Sequence, residues 1–301
     1  MSTSARPPPS PARRNTSGLA RDLEILDVLA GPEALREGGL GVLRIAELLG
    51  RDKATVSRAL ATLADAGVLD RDPDSRTYHL GSRLYALAAR TRDAALVRRA
   101  QPVLRQAVQS LRETTHLCVL RGGNVLTLVS ELSPREVATA GWAGTTTAAW
   151  RTPSGKVLIS DWDRASVDSW YTVHRDDEAL VSPRDSRSAA EFSVLVEPRP
   201  DNVVVRDLDS LHAELDRIRR RGYATSDEEL EHGVVAASAP VQDATGSVVA
   251  ALNVSAPKSR VGRRLQELGA YVARFSAALS TELGAPSGGD NRASPQRGEM
   301  G

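Results

Sequence analysis

Residues 45–84 read IAELLGRDKATVSRALATLADAGVLDRDPDSRTYHLGSRL, and the order of elements in this stretch decides the N-terminal fold. Val42, Ile45, Ala46 and Leu49 recur at helical spacing, and Gly50 closes that helix. Asp52 is placed to cap the next helix, whose inner face is Val56, Ala59, Leu60 and Leu63 before Gly67 stops it. Val68–Arg71 and Arg76–Leu80 then flank the turn-rich Asp72-Pro-Asp-Ser75, which predicts a hairpin. Upstream, Leu19, Leu23, Leu26 and Ala30 mark the inner face of a first helix, ended by Gly31-Pro32 and followed by a Gly-rich loop at 37–41. Helix, helix, short turn, helix, hairpin is the order of a winged helix-turn-helix, here over residues 18–81.

The third helix tests that label. With Val56, Leu60 and Leu63 inward, its outer face carries Ala54, Arg58, Ala61 and Asp65, flanked by Thr55, Ser57 and Thr62. Small residues let such a helix enter a major groove, while Ser, Thr and Arg supply hydrogen bonds to base edges and phosphates. Arg51 and Lys53 stand at its electropositive N-terminus, and Arg71 and Arg76 bracket the hairpin tip, where they can grip backbone or minor groove. Arg51, Lys53, Ala54, Thr55, Ser57, Arg58, Thr62, Arg71 and Arg76 are therefore the candidate contacts to double-stranded DNA. The competing reading is a three-helix unit for protein contacts with solvated arginines.

The whole chain has 301 residues, room for two ordinary domains, with 41% hydrophobic and 26% charged residues. No apolar run approaches a membrane span and no apolar stretch follows the N-terminal arginines, so no membrane partner is expected and a cytoplasmic location is. The one cysteine, Cys118, excludes an internal disulfide and a thiolate-built metal site, and five scattered histidines argue against an imidazole-built one. No metal and no cofactor are expected. Residues 1–100 hold 16 Lys/Arg against 12 Asp/Glu, and residues 101–301 hold 23 against 26, so a polyanion is expected to meet the front of the chain only.

Residues 1–17 and 285–301, rich in Pro, Ser, Gly and Arg and without periodicity, read as disordered tails. Residues 82–112 read as a linker helix interrupted near Pro102. Residues 113–284 mix strands and helices. HLCVL and VLTLV flank Arg121-Gly-Gly-Asn124. Leu208, Leu211, Leu215 and Ile218 form a helix face between Asp207 and Gly222, strands at 234–241 and 247–255 flank a DATG loop, and a last helix runs from about Gly262 to Leu283. This order predicts an α+β domain, an antiparallel sheet with helices to one side. The apolar segment 191–205 has no assigned role.

Residues 19–87 resemble the DNA-binding domain of the IclR family of bacterial transcriptional regulators, through the stretch quoted above. GYATSDEELEHGVVAASAPVQDATGSVVAALNVSAPKSR at 222–260 resembles that family's effector-domain signature, and TPSGKVL at 152–158 its Ala-Ser/Thr-x-x-Gly-Lys loop. The resemblance implies a winged helix domain, a linker helix and a GAF-like effector domain that binds a small molecule and alters operator affinity. It further implies assembly as a dimer or a dimer of dimers, which also suits DNA reading by so small a module.

Strand alternation places Val249, Ala251, Asn253 and Ser255 on one face and Val248, Ala250, Leu252 and Val254 on the other. Across the hairpin Val234, Ala236 and Ser238 alternate with Val235, Ala237 and Ala239. An amide and a hydroxyl closing an apolar face can fix a small polar ligand, although strand ends fraying into solvent would look the same. Amides of the 152–155 loop are positioned to meet an anion, but Pro153 has none, leaving Ser154 and Gly155. The resemblance adds Ser226 and Asp227, leaves Glu228 and Glu229 structural, and puts Ala236 where some members have a cysteine. Trp142 and Trp150 can line a pocket or pack on their own domain. The candidate effector residues are Trp142, Trp150, Ser154, Gly155, Ser226, Asp227, Val234, Ala236, Asn253 and Ser255, and the expected ligand is an organic acid or related catabolite.

No catalytic residues are assigned. Ser154 lacks a G-x-S-x-G elbow, and Gly155-Lys156 lacks the upstream glycine of a phosphate loop. The expected function is a DNA-binding transcriptional regulator under effector control. Its alternative is a ligand-independent regulator whose C-terminal domain only oligomerises.

Overall fold

The computed structural model describes residues 18–135, 143–177, 180–181 and 202–286. The expected tail 1–17, most of the tail 285–301, Trp142 and residues 191–201 lie outside the described residues. The chain divides into two units, Met1–Ala89 and Arg90–Gly301.

In the first unit α1 spans Gly18–Ala30, α2 Pro32–Glu37, α3 Val42–Leu49 and α4 Lys53–Asp65, followed by strands β1 Leu69–Arg71 and β2 Tyr78–Leu80. Their core is Ile25, Val28 and Leu29 of α1 with Ala34, Leu40, Ile45, Ala46, Val56, Leu60, Leu69 and Tyr78. The inner row of α1 differs from the expected one. Leu19, Leu23 and Ala30 are exposed and Leu26 is half-buried, because α1 carries two apolar rows and the tightly packed one begins at Ile25. Helix α2 was not expected. Pro32 stops α1 but also occupies the first turn of a new helix, where its missing N–H costs nothing, and Gly38 caps that helix at φ 72°. Asp52 caps α4 as expected, accepting from Thr55 N at 2.9 Å. The hairpin pairs Leu69 with Leu80 and Arg71 with Tyr78, and Leu40 adds an isolated bridge to Tyr78.

The segment 82–112 is two helices rather than one interrupted at proline. Helix α5, Ser82–Ala88, buries no residue; α6, Arg92–Leu111, starts where Thr91 Oγ1 accepts from Ala94 N at 3.1 Å. Pro102 sits inside α6, which holds because Ala100, Val103, Leu104, Ala107 and Val108 are buried along one face.

The second unit continues with strands β3 Thr114–Arg121, β4 Asn124–Glu131 and β5 Thr146–Ala148, then a single 3₁₀ turn at Ala149–Arg151. Next come α7 Pro153–Leu158, α8 Arg164–His174, β6 Leu180–Val181, α9 Leu208–Arg221, β7 Ala224–Asp227, β8 Val234–Gln242 and β9 Val248–Pro257. The chain closes with α10 Lys258–Val261 and α11 Leu265–Glu282. The seven strands form one antiparallel sheet in the order β6-β5-β4-β3-β9-β8-β7.

This is the expected α+β class, but helices cover both faces of the sheet rather than one. Val103 and Leu104 of α6 and Leu268, Val272 and Leu279 of α11 pack on Val235, Ala237, Ala239, Ala250, Leu252 and Val254. Val157 and Leu158 of α7 and Leu211, Leu215 and Ile218 of α9 pack with Cys118, Ala148, Ala224 and Ala251 on the opposite side. Adjacent alanines, Ala236-Ala237 in β8 and Ala250-Ala251 in β9, put one small side chain on each face and leave room for a helix to approach either one.

Candidate DNA interface and effector site

On α4, Lys53, Ala54, Thr55, Arg58, Ala61 and Thr62 are exposed and Ser57 is half-buried, so one continuous outward strip carries small residues with a few polar groups. Thr55 Oγ1 also reaches Asp52 at 3.2 Å, and Thr62 Oγ1 donates to Arg58 O at 3.0 Å. Those bonds hold the hydroxyls close to the helix while each keeps lone pairs outward. The backbone N–H of Thr55 holds the Asp52 carboxyl below its ordinary range, so the cap is ionised at neutral pH.

The wing tip is tied by Asp72, whose Oδ1 accepts from Ser75 N at 2.7 Å and Asp74 N at 3.0 Å. Arg76 is exposed there with φ 58°, and Arg71 is exposed with its guanidinium 5.6 Å from the Tyr78 ring centre. Arg51 departs from expectation. Its guanidinium is bound to the Glu24 carboxylate and donates to Arg21 O at 3.2 Å, so it fastens α1 to the start of α4 rather than projecting toward a phosphate.

The second candidate site is built on the α7 face of the sheet. Strand register aligns two rows across it: Ser226, Ala236, Ser255 and Thr114 in one, and Ala224, Ser238, Asn253, His116 and Ser130 in the next. The His116 ring meets Ser130 Oγ at 2.8 Å and Ser255 Oγ at 2.9 Å, and burial holds it down to about 4, so the imidazole is neutral. Cys118 Sγ lies 3.7 Å from Thr127 Oγ1; burial pushes the thiol up to about 11, which leaves it protonated and unreactive. Ser238 Oγ lies 3.4 Å from Ser154 Oγ on α7. Asn253 Oδ1 and Trp150 Nε1 are buried without a hydrogen-bond partner among the described residues. Such atoms are costly unless a ligand or water satisfies them.

The anion cradle expected at 152–155 is not assembled as drawn. Gly155 N donates to Thr152 Oγ1 at 3.1 Å, capping α7 internally, and Pro153 has no N–H, so Ser154 alone retains an amide for a ligand. Lys156 is fully buried and its Nζ lies 2.8 Å from Glu229 Oε2. Burial pushes the Glu229 carboxyl up against the pull of that ammonium. Asp227 also departs from expectation. Strand alternation turns it away from Ser226 to an exposed position, where it meets Lys258 Nζ at 2.8 Å.

Glu228, at φ 57°, accepts from Gly233 N at 2.7 Å and from Lys258 Nζ at 2.5 Å, a structural role as expected. Trp150 packs edge-on to Tyr171, with ring centres 6.1 Å apart, and under the Arg151 guanidinium at 4.4 Å. Its indole is therefore part of the core and presents only Nε1 as an open polar group. Val234 and Ala236 are half-buried. A separate cavity of about 320 Å³ lies among Glu113, Arg135, Arg260, Arg264, Leu268 and Tyr271, and the bidentate Arg260–Glu113 pair at 2.6 and 2.7 Å lines it.

Two family models match this chain: the IclR helix-turn-helix domain over residues 18–73, and the bacterial transcriptional regulator IclR C-terminal domain over residues 188–281. The HTH-type transcriptional regulator BhcR of Paracoccus denitrificans is 31% identical over 81% of this chain and 78% of its own. The chain belongs to the IclR family. Another relative, the glycerol operon regulatory protein of Streptomyces coelicolor, is 30% identical over 90% of this chain and 98% of its own. The crystal structure of Thermotoga maritima IclR shares the fold, with a TM-score of 0.66 at 21% identity, covering 88% of this chain and 98% of that one.

As an IclR-family member the protein is a helix-turn-helix transcriptional regulator and not an enzyme. Within that frame, sequence reasoning missed His116, Thr127, Ser238 and the Lys156–Glu229 pair as parts of the α7 face. The signal for Ser238 was present, since it is a polar residue at an inward position of the otherwise apolar run 234–241. The pairing of Lys156 with Glu229 spans 73 residues and leaves no local pattern.

Proposed function

We propose that this IclR-family protein binds operator DNA as a pair of copies, with α4 in the major groove and the β1–β2 wing on the backbone or minor groove. Lys53, Ala54, Thr55, Ser57, Arg58 and Thr62 supply the groove contacts, and Arg71 and Arg76 hold the wing. The observation that carries this part is the continuous exposed strip of α4, small enough to seat and tipped by Lys53. One such module reads few base pairs, so two copies on a two-fold operator supply the specificity. The protein is expected to work in the cytoplasm; among the described residues no helix is long and apolar enough to cross a membrane.

Operator affinity is set by a small organic acid or related catabolite on the α7 face. Ser154, Ser226, Asn253 and Ser255 meet its polar end, and Asn253 Oδ1 and Trp150 Nε1 are the open buried groups it would satisfy. The IclR homologue of Microbacterium hydrocarbonoxydans, 21% identical, was solved with 4-hydroxybenzoate, an organic acid. Ligand binding changes how two DNA-binding units are held, through the segment 82–112, and it can do so only by its differential affinity for the two arrangements.

Genome-wide mapping of bound DNA tests the first part and names the operator; folded protein that ignores every genomic fragment at low salt defeats it. A thermal-shift screen of catabolites tests the second. A ligand at 100 times its dissociation constant stabilises the fold by about 2.7 kcal/mol. A flat screen favours the ligand-independent reading, in which the second unit only oligomerises.

A further inference from the structure

We infer that Lys156 and Glu229 are a positioning pair that fixes α7 over the polar sheet face, at the place from which Ser154 completes the effector site; the inference rests on the reading of that face given above. Helix α7 has only six residues and opens on Pro153, so it cannot hold its place by its own hydrogen bonds. Two adjacent residues in its middle hold it instead. Gly155 lies so close to the preceding turn that a Cβ would stand 2.0 Å from Ala149 O. The next residue, Lys156, carries its Nζ to the Glu229 carboxylate at 2.8 Å, with the lysine wholly buried and the glutamate nearly so.

The anchor is itself tied down. Glu229 follows Glu228, whose positive φ is held by Gly233 N, Lys258 and Asn202. Ser226 lies three residues before Glu229, and Ser154 two before Lys156. The pair thus joins the two segments that carry ligand-facing hydroxyls, across 73 residues of chain.

A buried ion pair is a poor choice for stability alone, since two packed apolar side chains of similar volume often stabilise as well or better. What the pair adds is direction, because an ammonium bonds a carboxylate in one place, whereas apolar groups slide. A structural filler and a positioning pair therefore differ in what the double apolar replacement does.

The test uses Lys156→Met/Glu229→Leu in the full chain, with Cys118 as reporter. It is the only cysteine and lies buried on the same face, beside Thr127. The double variant is expected to melt at or above the wild-type temperature, yet react with methyl methanethiosulfonate at least tenfold faster. That rate should be insensitive to low urea, as local rather than global opening requires. A folded variant whose thiol stays as protected as in the wild type overturns the inference.

Should the variant fail to fold, hydrogen exchange on the wild-type protein decides. The amides of Lys156 and Ile159 should be as protected as those of β8 and β9, and exchange at fraying rates overturns the inference. A failed catabolite screen would sink the effector reading and leave the labelling result standing; a failed labelling experiment would do the reverse.

Discussion

Arg58 and Arg76 are both exposed arginines of the first unit, yet their places assign them different work. Arg58 stands in the middle of the outward strip of α4, which the proposed docking sets against base edges, and Arg76 stands on the wing, which the same docking sets against phosphate. Arg58→Ala is expected to weaken specific binding more than non-specific binding, by about 1–3 kcal/mol. Arg76→Ala should weaken both alike and lower the salt slope by about one. Fluorescence anisotropy on operator and random duplexes over a salt series separates the two; equal losses on all sequences would remove the base-reading role of Arg58.

His116 makes a different kind of prediction. Its imidazole titrates near 6.5 when exposed and is held to about 4 by burial in the fold. Between those values the unfolded chain binds a proton that the folded chain does not. The stability contribution is therefore complete above pH 6.5 and is lost as the pH falls to about 4, a change of about 3 kcal/mol. Urea melts across that range should show the slope in the wild type and a flatter one in His116→Gln. Arg51, by contrast, shows what a residue list cannot: its charge suits a phosphate, but Glu24 is already bound to it.

Among elements, α7 is tightly constrained. Its first turn is closed by Thr152 and packed against Ala149, and Gly155 is there because no side chain fits, not because of a left-handed backbone. Gly155→Ala is expected to cost about 3 kcal/mol, read as a fall in the urea midpoint with an unchanged m-value. A midpoint within error of the wild type would mean α7 moves freely. Capped elements were legible in the sequence: Asp52 before α4, Asp207 before α9 and Gly222 after it all act as their types predict. Elements whose signals cut both ways were not. Pro32 ends one helix and begins another, and Pro102 is carried inside α6 because the buried face of that helix outweighs one missing hydrogen bond.

Across the whole molecule the change of unit falls at residues 89 and 90, beside the turn that separates α5 from α6. Arg90 is exposed in that turn and α5 buries nothing, so brief trypsin treatment should cut after Arg90 and leave the second unit folded. Resistance at that bond would mean the junction is packed. The same junction carries the proposed regulation. Crosslinking the 82–112 segments of paired copies should abolish the effect of a ligand on operator binding, and an intact response would exclude that route. That the second unit holds an antiparallel sheet followed by a helix was legible from alternation in 234–241 and 247–255. That helices cover both faces was not, since alanine at an inward position looks the same whichever helix it receives.

By itself the sequence determined the helix and hairpin order of the first unit apart from α2, the caps at Asp52, Asp207 and Gly222, the alternation of 234–241 and 247–255, and the outward strip of α4, because caps, turns and periodicity act over a few residues. Only the tertiary structure decided which apolar row of α1 is buried, that Arg51 is spent on Glu24, and that Lys156 meets Glu229. Each of these depends on what a distant segment places opposite the residue, and a local pattern holds no record of that.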